Sequence, residues 1–338
     1  VAAWADWENA HGGVNGHSVK IIKMDDAGSA TTALAQVTQM IQQDHVIALI
    51  DDSDVDSAWA TYAQQHGVPV VGGNLASEAM FANPDFFPVG ETSNVLQDGV
   101  VAGEKKVGIS KLGIAYCTAV AACALSAGGL KTAASADGIG VVYSAKVADA
   151  ATDYTAPCLA MQQAGANGVS VLSSEAVIEN FANSCAAQGF SPKFVETFTS
   201  TSNAIVGLAA LQGAIEVDPD VPSTDTAVPA IETMNQALNQ YEPGTTTSSG
   251  WGPGQTDAWA GGMLFAAAAK AGNLGSNPTS AELISGLYAL PHGDTLGGLT
   301  PPLTYQKGKA TTVVCWFYAK IQNKKYTAPY GATPSCPS

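Results

Sequence analysis

Glu8-Asn9-Ala10-His11-Gly12-Gly13-Val14-Asn15-Gly16 opens the stretch, running on to Asn74, whose order of elements decides the fold. Val19 to Met24 is a short apolar-rich run that ends on Asp25-Asp26, and its composition predicts a strand. Ala33, Leu34, Val37 and Ile41 then recur at helical spacing, and Val46-Ile47-Ala48-Leu49-Ile50 is a continuous apolar run suited to a buried parallel strand. Val55, Ala58, Trp59 and Tyr62 give the next helix an inward face, and Gly67-Val68-Pro69-Val70-Val71 leads into another strand. Alternating β and α segments predict a doubly wound parallel sheet. Ligands of such sheets sit at the carboxyl ends of the strands. Here those ends read Asp51-Asp52-Ser53-Asp54 and Gly72-Gly73-Asn74. Asp52, Ser53, Asp54, Gly73 and Asn74 are therefore the first candidate ligand-binding residues.

A second series of the same kind starts at Lys111. Leu112 to Tyr116, Gly140 to Tyr143, Gly168 to Leu172 and Lys193 to Thr197 read as strands. Thr118 to Ala127, Tyr154 to Ala164 and Glu175 to Gln188 read as the helices between them, the last ending before Gly189. Helices follow over Pro229 to Tyr241, Thr256 to Ala271 and Thr279 to Ala289, and a hairpin over Thr311 to Ile321 and Lys325 to Thr327. Two βα series imply two sheets, as the length of 338 residues also suggests.

The composition excludes several function classes. A formal net charge of −15 opposes nucleic-acid binding, which needs clustered cations. Every basic residue is Lys, so the bidentate guanidinium clamp for carboxylate or phosphate is missing. Any anionic group must be held by backbone N–H groups, hydroxyls or Lys. The longest apolar stretch, Trp259 to Ala271, is Ala-rich and too short to span a bilayer. No secretory leader is visible at Val1, which reads as the start of a mature or trimmed chain. There is no Gly-x-Ser-x-Gly elbow, His-Glu-x-x-His, phosphate-binding lysine loop or Gly-x-Gly-x-x-Gly after a strand, so no enzyme, cofactor or metal site is predicted.

Taken in order, the Asn9 to Gly16 motif, Asp25-Asp26-Ala27-Gly28, Gly67 to Gly72, Phe86-Phe87-Pro88-Val89-Gly90 and Asp257-Ala258-Trp259-Ala260 resemble the type I solute-binding proteins of ABC uptake systems. The leucine/isoleucine/valine-binding branch is the nearest in pattern, and the resemblance spans essentially the whole chain. It implies two Rossmann-like lobes with parallel sheets, joined by a three-segment hinge that closes on a ligand. The connections are expected near Asn94–Gly99, Glu216–Pro219 and Gly297–Pro302. That makes residues 1–97 and 218–298 one lobe, and 98–217 and 299–338 the other. In family members a further strand, central in the first sheet, and half a helix precede the Asn9 motif.

The resemblance also bears on the site. The loop at Ser53 matches one that grips the ligand carboxylate in amino-acid-binding members, and Gly73-Asn74 matches a second contact loop. Ser173-Ser174-Glu175 matches a loop that covers the ligand. Phe198-Thr199-Ser200-Thr201 occupies the place where amino-acid binders carry an acidic residue, and offers hydroxyls instead. Thr118 follows a third strand end. Ser174, Glu175, Thr199, Ser200 and Thr118 complete the candidate set. Asp52, Asp54 and Glu175 remain as partners for an ammonium group. Trp251 and Trp259 offer stacking surfaces or ordinary packing.

The six cysteines, Cys117, Cys123, Cys158, Cys185, Cys315 and Cys336, form no Cys-x-x-Cys pair and cluster with none of the five histidines. In an extracytoplasmic protein an even count reads as disulfides. Fifteen pairings are possible; sequence neighbours, Cys117–Cys123, Cys158–Cys185 and Cys315–Cys336, are the economical set. The function expected from resemblance is a monomeric, extracytoplasmic, periplasmic or lipid-anchored binder. It would capture an amino acid or small carboxylate and deliver it to an ABC permease. The alternatives are a ligand-sensing receptor subunit of the same fold and a binder of aromatic or polyol metabolites.

Overall fold

The structure, a computed structural model, describes residues 1–337 apart from residues 54, 74–76, 91–95 and 119–120. The candidates Asp54 and Asn74 therefore lie outside the described residues. The chain forms two compact units. The first holds Val1–Asn94, Pro219–Thr246 and Gln255–Trp316; the second holds Val95–Asp218, Thr247–Gly254 and Phe317–Ser338.

The first unit carries a parallel sheet in the order β1 (Leu49–Asp51), β2 (Val70–Gly73), β3 (Phe86–Phe87). Its core gathers Val37, Leu49, Trp59, Ala63, Val70, Met80 and Phe86. Val37, Leu49, Trp59 and Val70 are in the apolar runs the sequence marks, whereas Leu34, expected on the inward side of the same helix as Val37, is exposed. Two sequence expectations need correction here. Val19–Met24 has no regular secondary structure, and the Val46–Ile50 run is a strand only from Leu49. A cavity of about 750 Å³ lies along both segments, lined by Ile21, Met24, Val46, Ile50 and the helix residue Val37. With that space beside it, the 19–24 run has no ladder to join, however apolar it is.

Residues 299–316, expected in the second lobe, group with the first unit. Leu299, Leu303 and Tyr305 are buried, and the Tyr305 hydroxyl donates to Pro88 O at 2.7 Å. Helices Asp257–Gly272 and Ser280–Ala289 cross closely in the same unit. A Cβ on Gly286 would fall 1.9 Å from Ala268 O, so only glycine permits the approach. Thr279 and Glu282 close a capping box at the start of the second of these helices.

The second unit holds a seven-stranded sheet: β4 (Lys111–Cys117), β5 (Gly140–Val147), β6 (Gly168–Leu172), β7 (Lys193–Thr197), β8 (Ile215–Asp218), β9 (Phe317–Gln322) and β10 (Lys325–Thr327). Its order is β10-β9-β8-β7-β6-β4-β5, parallel from β8 to β5, with the β9–β10 hairpin added antiparallel on β8. Met161, Val169, Val171, Ile178, Phe181 and Phe194 pack its core together with Cys158 and Cys185. Cys117–Cys123 and Cys158–Cys185 are disulfides, with Cα separations of 5.5 and 5.1 Å. Cys315 and Cys336 are also disulfide-bonded, and no described cysteine is free.

Candidate functional site

Parallel strands that share a direction bring the residues after them to one edge of the sheet. In the first unit that edge gathers Asp51, Asp52, Ser53 and Gly73, because β1 and β2 run side by side. Gly73 has φ +86°, and a Cβ there would lie 1.8 Å from Asp51 O. Glycine is therefore what lets β2 turn away so close to β1.

Ser53 is tied into this turn. Its hydroxyl donates to Asp26 Oδ2 at 2.6 Å, its oxygen accepts from Val55 N at 3.2 Å, and its own N–H donates to Asp51 Oδ1 at 3.1 Å. The segment after it is a 3-10 turn, Asp56–Ala58, whose N-cap is Val55, and the α-helix begins only at Ala60. Ser53 therefore does not cap an α-helix. Its proton is already committed to a carboxylate.

Asp51, Asp220 and Asp257, all acids of the first unit, are buried. Asp51 is 3% exposed, and burial, then Asp56, pushes its carboxyl well above the usual range. Asp257 opens the helix Asp257–Gly272, and burial followed by the Asp52 charge raises it to about 7. Asp220 is fully buried with neither carboxylate oxygen hydrogen-bonded, and burial, then Asp257, raises it well above normal. Asp51, in the acidic run at the strand end, and Asp257, in the Asp-Ala-Trp-Ala motif, carried a sequence signal; Asp220 did not. Trp259 is 4% exposed and packs on Trp7, with ring centroids 5.9 Å apart, so it serves packing.

In the second unit β4, β6 and β7 are neighbours, and their carboxyl ends bring Thr118, Ser173 to Glu175 and Thr197 to Ser200 to one edge. Asp149, which no pattern in the sequence marked, links two of these ends. Ser173 Oγ donates to its Oδ1 at 2.8 Å and Thr118 N to its Oδ2 at 3.4 Å. Ser174 is exposed at the N-cap of Glu175–Ala187, and its side chain makes no capping bond. Glu175 sits in the first turn, half-buried, and its Oε2 is enclosed without a hydrogen-bond partner. Thr199 is exposed, its hydroxyl 3.1 Å from that of the buried Thr197, and Ser200 is half-buried beside it. Behind them the loop with Trp251 is held by Asn203 N donating to Trp251 O at 2.8 Å and by Ser202 Oγ donating to Ser249 O at 2.6 Å.

This edge offers hydroxyl donors, an uncapped helix start and one unsatisfied carboxylate oxygen, a set that suits a small zwitterion or acid. Among the described residues no group of three or more His, Cys, Asp and Glu side chains is placed to hold a metal ion. No described helix is long and apolar enough to cross a membrane.

Comparison with known proteins bears on the same question. A branched-chain amino-acid ABC transporter protein from Thermus thermophilus, solved with bound valine, superposes with a TM-score of 0.83 at 13% identity, over 99% of this chain and 90% of that one. A solute-binding protein from R. palustris in complex with benzoate gives a TM-score of 0.76 at 18% identity, over 100% and 91%. A fatty-acid ABC transporter substrate-binding protein from Thermomonospora curvata gives 0.75 at 16%, over 99% and 85%. No curated protein sequence matches the chain. At these identities the solved structures speak for the fold, a type I periplasmic binding protein fold. The family described as "Periplasmic binding protein" matches residues 1–326, and the chain belongs to that family, one of binding proteins and not of enzymes.

Proposed function

We propose that this protein is an extracytoplasmic solute-binding protein that captures a small carboxylate-bearing solute, amino acids foremost, and hands it to an ABC permease. The observation that carries the ligand class is Glu175 Oε2, an enclosed carboxylate oxygen with no hydrogen-bond partner, on the same sheet edge as the Ser174 and Thr199 hydroxyls. A carboxylate oxygen held out of water without a donor is costly, and an ammonium group would repay that cost. The Ser174 and Thr199 hydroxyls supply donors for the other end of a zwitterion, in a chain that has no Arg to do so. The solved relatives that carry valine, benzoate or a fatty-acid assignment support a carboxylate as the common chemistry. The disulfides support an extracytoplasmic location.

The test is calorimetric titration with a panel of amino acids, aromatic carboxylates and medium-chain fatty acids. Saturable binding of an amino acid, lost when its amine is acetylated, supports the reading. Binding of a benzoate-type or fatty acid with no amino acid bound replaces it with a plain carboxylate binder.

A further inference from the structure

Seven of the fourteen lysines lie along one edge of the second unit, the edge where β4, β6, β7 and β8 begin and the β9–β10 hairpin turns. This is the opposite edge from Thr118, Glu175 and Thr199. Lys111 and Lys193 start β4 and β7, Lys320 lies opposite Ile215 at the start of β8, and Lys324 and Lys325 form the hairpin turn. Lys105 and Lys106 end the helix Leu96–Lys106 just above it. The loops that lead into these strands contain a single carboxylate, Asp137, and Lys105 already pairs with it at 2.9 Å. A chain of net charge −15 thus keeps one edge with six lysines that have no acidic neighbour in those loops.

The edge is also shaped. A groove of about 510 Å³ is lined by Lys106, Lys193 and Lys320, with Gln212 and Tyr330, over a floor of small residues such as Ala210 and Gly213. Its cations are held in place without being neutralised. Lys106 Nζ stands 4.7 Å from the Tyr330 ring centroid and 5.3 Å from that of Tyr318, and Lys193 Nζ donates to Val107 O. Positions fixed in advance lower the ordering cost of binding an anion.

We infer that this lysine groove is a docking site for an acidic polypeptide segment of a partner protein. Charge complementarity selects an anionic partner, and two observations select a segment over an anionic bilayer. The charges line a concavity, which an extended chain can enter and a flat bilayer cannot. The large exposed apolar side chain among the described residues of this unit, Leu125, lies near the start of the helix Ala121–Ala136, which follows the carboxyl end of β4 and so belongs to the opposite edge; nothing here would anchor in lipid. An extended anionic surface would also repel the rest of the chain, whereas a short acidic segment meets only charges within a Debye length of about 8 Å.

The experiment is fluorescence anisotropy of fluorescein-labelled deca-aspartate titrated with the full chain, with a Ser/Gly peptide as the neutral control. Two variants test the edge: the triple substitution Lys111→Glu, Lys324→Glu, Lys325→Glu on exposed positions, and Lys320→Gln in the groove. Saturable binding of deca-aspartate that weakens with added salt, and falls at least about tenfold in the triple variant at an unchanged melting temperature, supports the site. Lys320→Gln should weaken it less and in the same direction. No binding by the parent, or equal binding by parent and triple variant, overturns the inference. Co-sedimentation with phosphatidylcholine/phosphatidylglycerol vesicles without peptide binding overturns it in favour of a membrane contact.

Discussion

Ser170 Oγ lies 3.1 Å from Glu104 Oε1 in the second unit, both side chains fully out of solvent, and the same Oγ lies 2.9 Å from Val195 O. One hydroxyl proton cannot serve two acceptors. If Glu104 is protonated it donates to Ser170, which is then free to donate to Val195 O, and both hydroxyl protons find an acceptor. Burial raises Glu104 from 4.5 to about 7, in agreement with that arrangement.

A pH dependence of stability follows from this pair. The folded-state value is raised, so below pH 4.5 both folded and unfolded chains hold the proton and nothing is lost. Between 4.5 and about 7 the unfolded chain releases its proton while the folded one keeps it, and stability falls as pH rises. The loss amounts to about 3 kcal/mol in all and levels off above pH 7. Glu104→Gln should remove this part of the slope and be the more stable form at pH 8 in urea unfolding. A parent and variant with parallel stability curves from pH 5 to 8 would contradict it.

Glu175→Gln separates ligand classes. Should an amino-acid ligand use Glu175 Oε2 as its ammonium partner, the variant loses about 2–5 kcal/mol of affinity in calorimetry. Its melting temperature without ligand should not fall below the parent value, because that oxygen bonds nothing within the chain and a neutral amide is less costly to enclose than a carboxylate. Unchanged amino-acid affinity removes Glu175 from the site.

Ser53→Ala is expected to act on stability before affinity. The hydroxyl holds Asp26 at 2.6 Å and accepts from Val55 N, so its removal should cost about 1–3 kcal/mol in denaturant unfolding. A loss of ligand affinity with no loss of stability would return Ser53 to the role of a direct ligand contact.

The disulfides should differ in their contribution. Peptide mapping of the unreduced protein should recover Cys117–Cys123 and Cys158–Cys185, with no thiol titrating after denaturation. Cys158 and Cys185 are both fully buried and enclose a longer stretch, 27 positions apart against 6. Replacing that pair with Ala should cost about 2–4 kcal/mol, more than replacing Cys117 and Cys123.

Periodicity and turn chemistry carried most of the second unit. Each run beginning at Lys111, Gly140, Gly168 and Lys193 is apolar and bounded by glycine or polar turns, and each is a strand of the sheet. Local spacing likewise marked Cys158 and Cys185, because the helices before and after one parallel strand, wound the same way, lie side by side on the sheet. In the first unit the same reasoning overshot at Val19–Met24. An apolar run states a preference for burial, but a strand exists only where a neighbour's N–H and C=O groups lie within reach.

Only the tertiary structure decided the fate of the acids. Ile215-Glu216-Val217-Asp218 alternates like a strand with one wet face, yet every position is buried, because the helix Leu96–Lys106 packs on the Ile215 face and Thr201, in the loop after β7, meets Glu216 on the other. Burial raises Glu216 to about 7 against hydrogen bonds from Asp218 and Thr201 that lower it. Ser53 tells the same lesson from the other side: its place after a strand was legible, its commitment to Asp26, 27 positions earlier, was not. Sequence by itself determined which segments prefer strand, helix or turn, since those preferences act within a few residues. Which oxygen meets which proton, and so which of the strand-end side chains remains open to a ligand, depends on contacts between segments far apart in the chain.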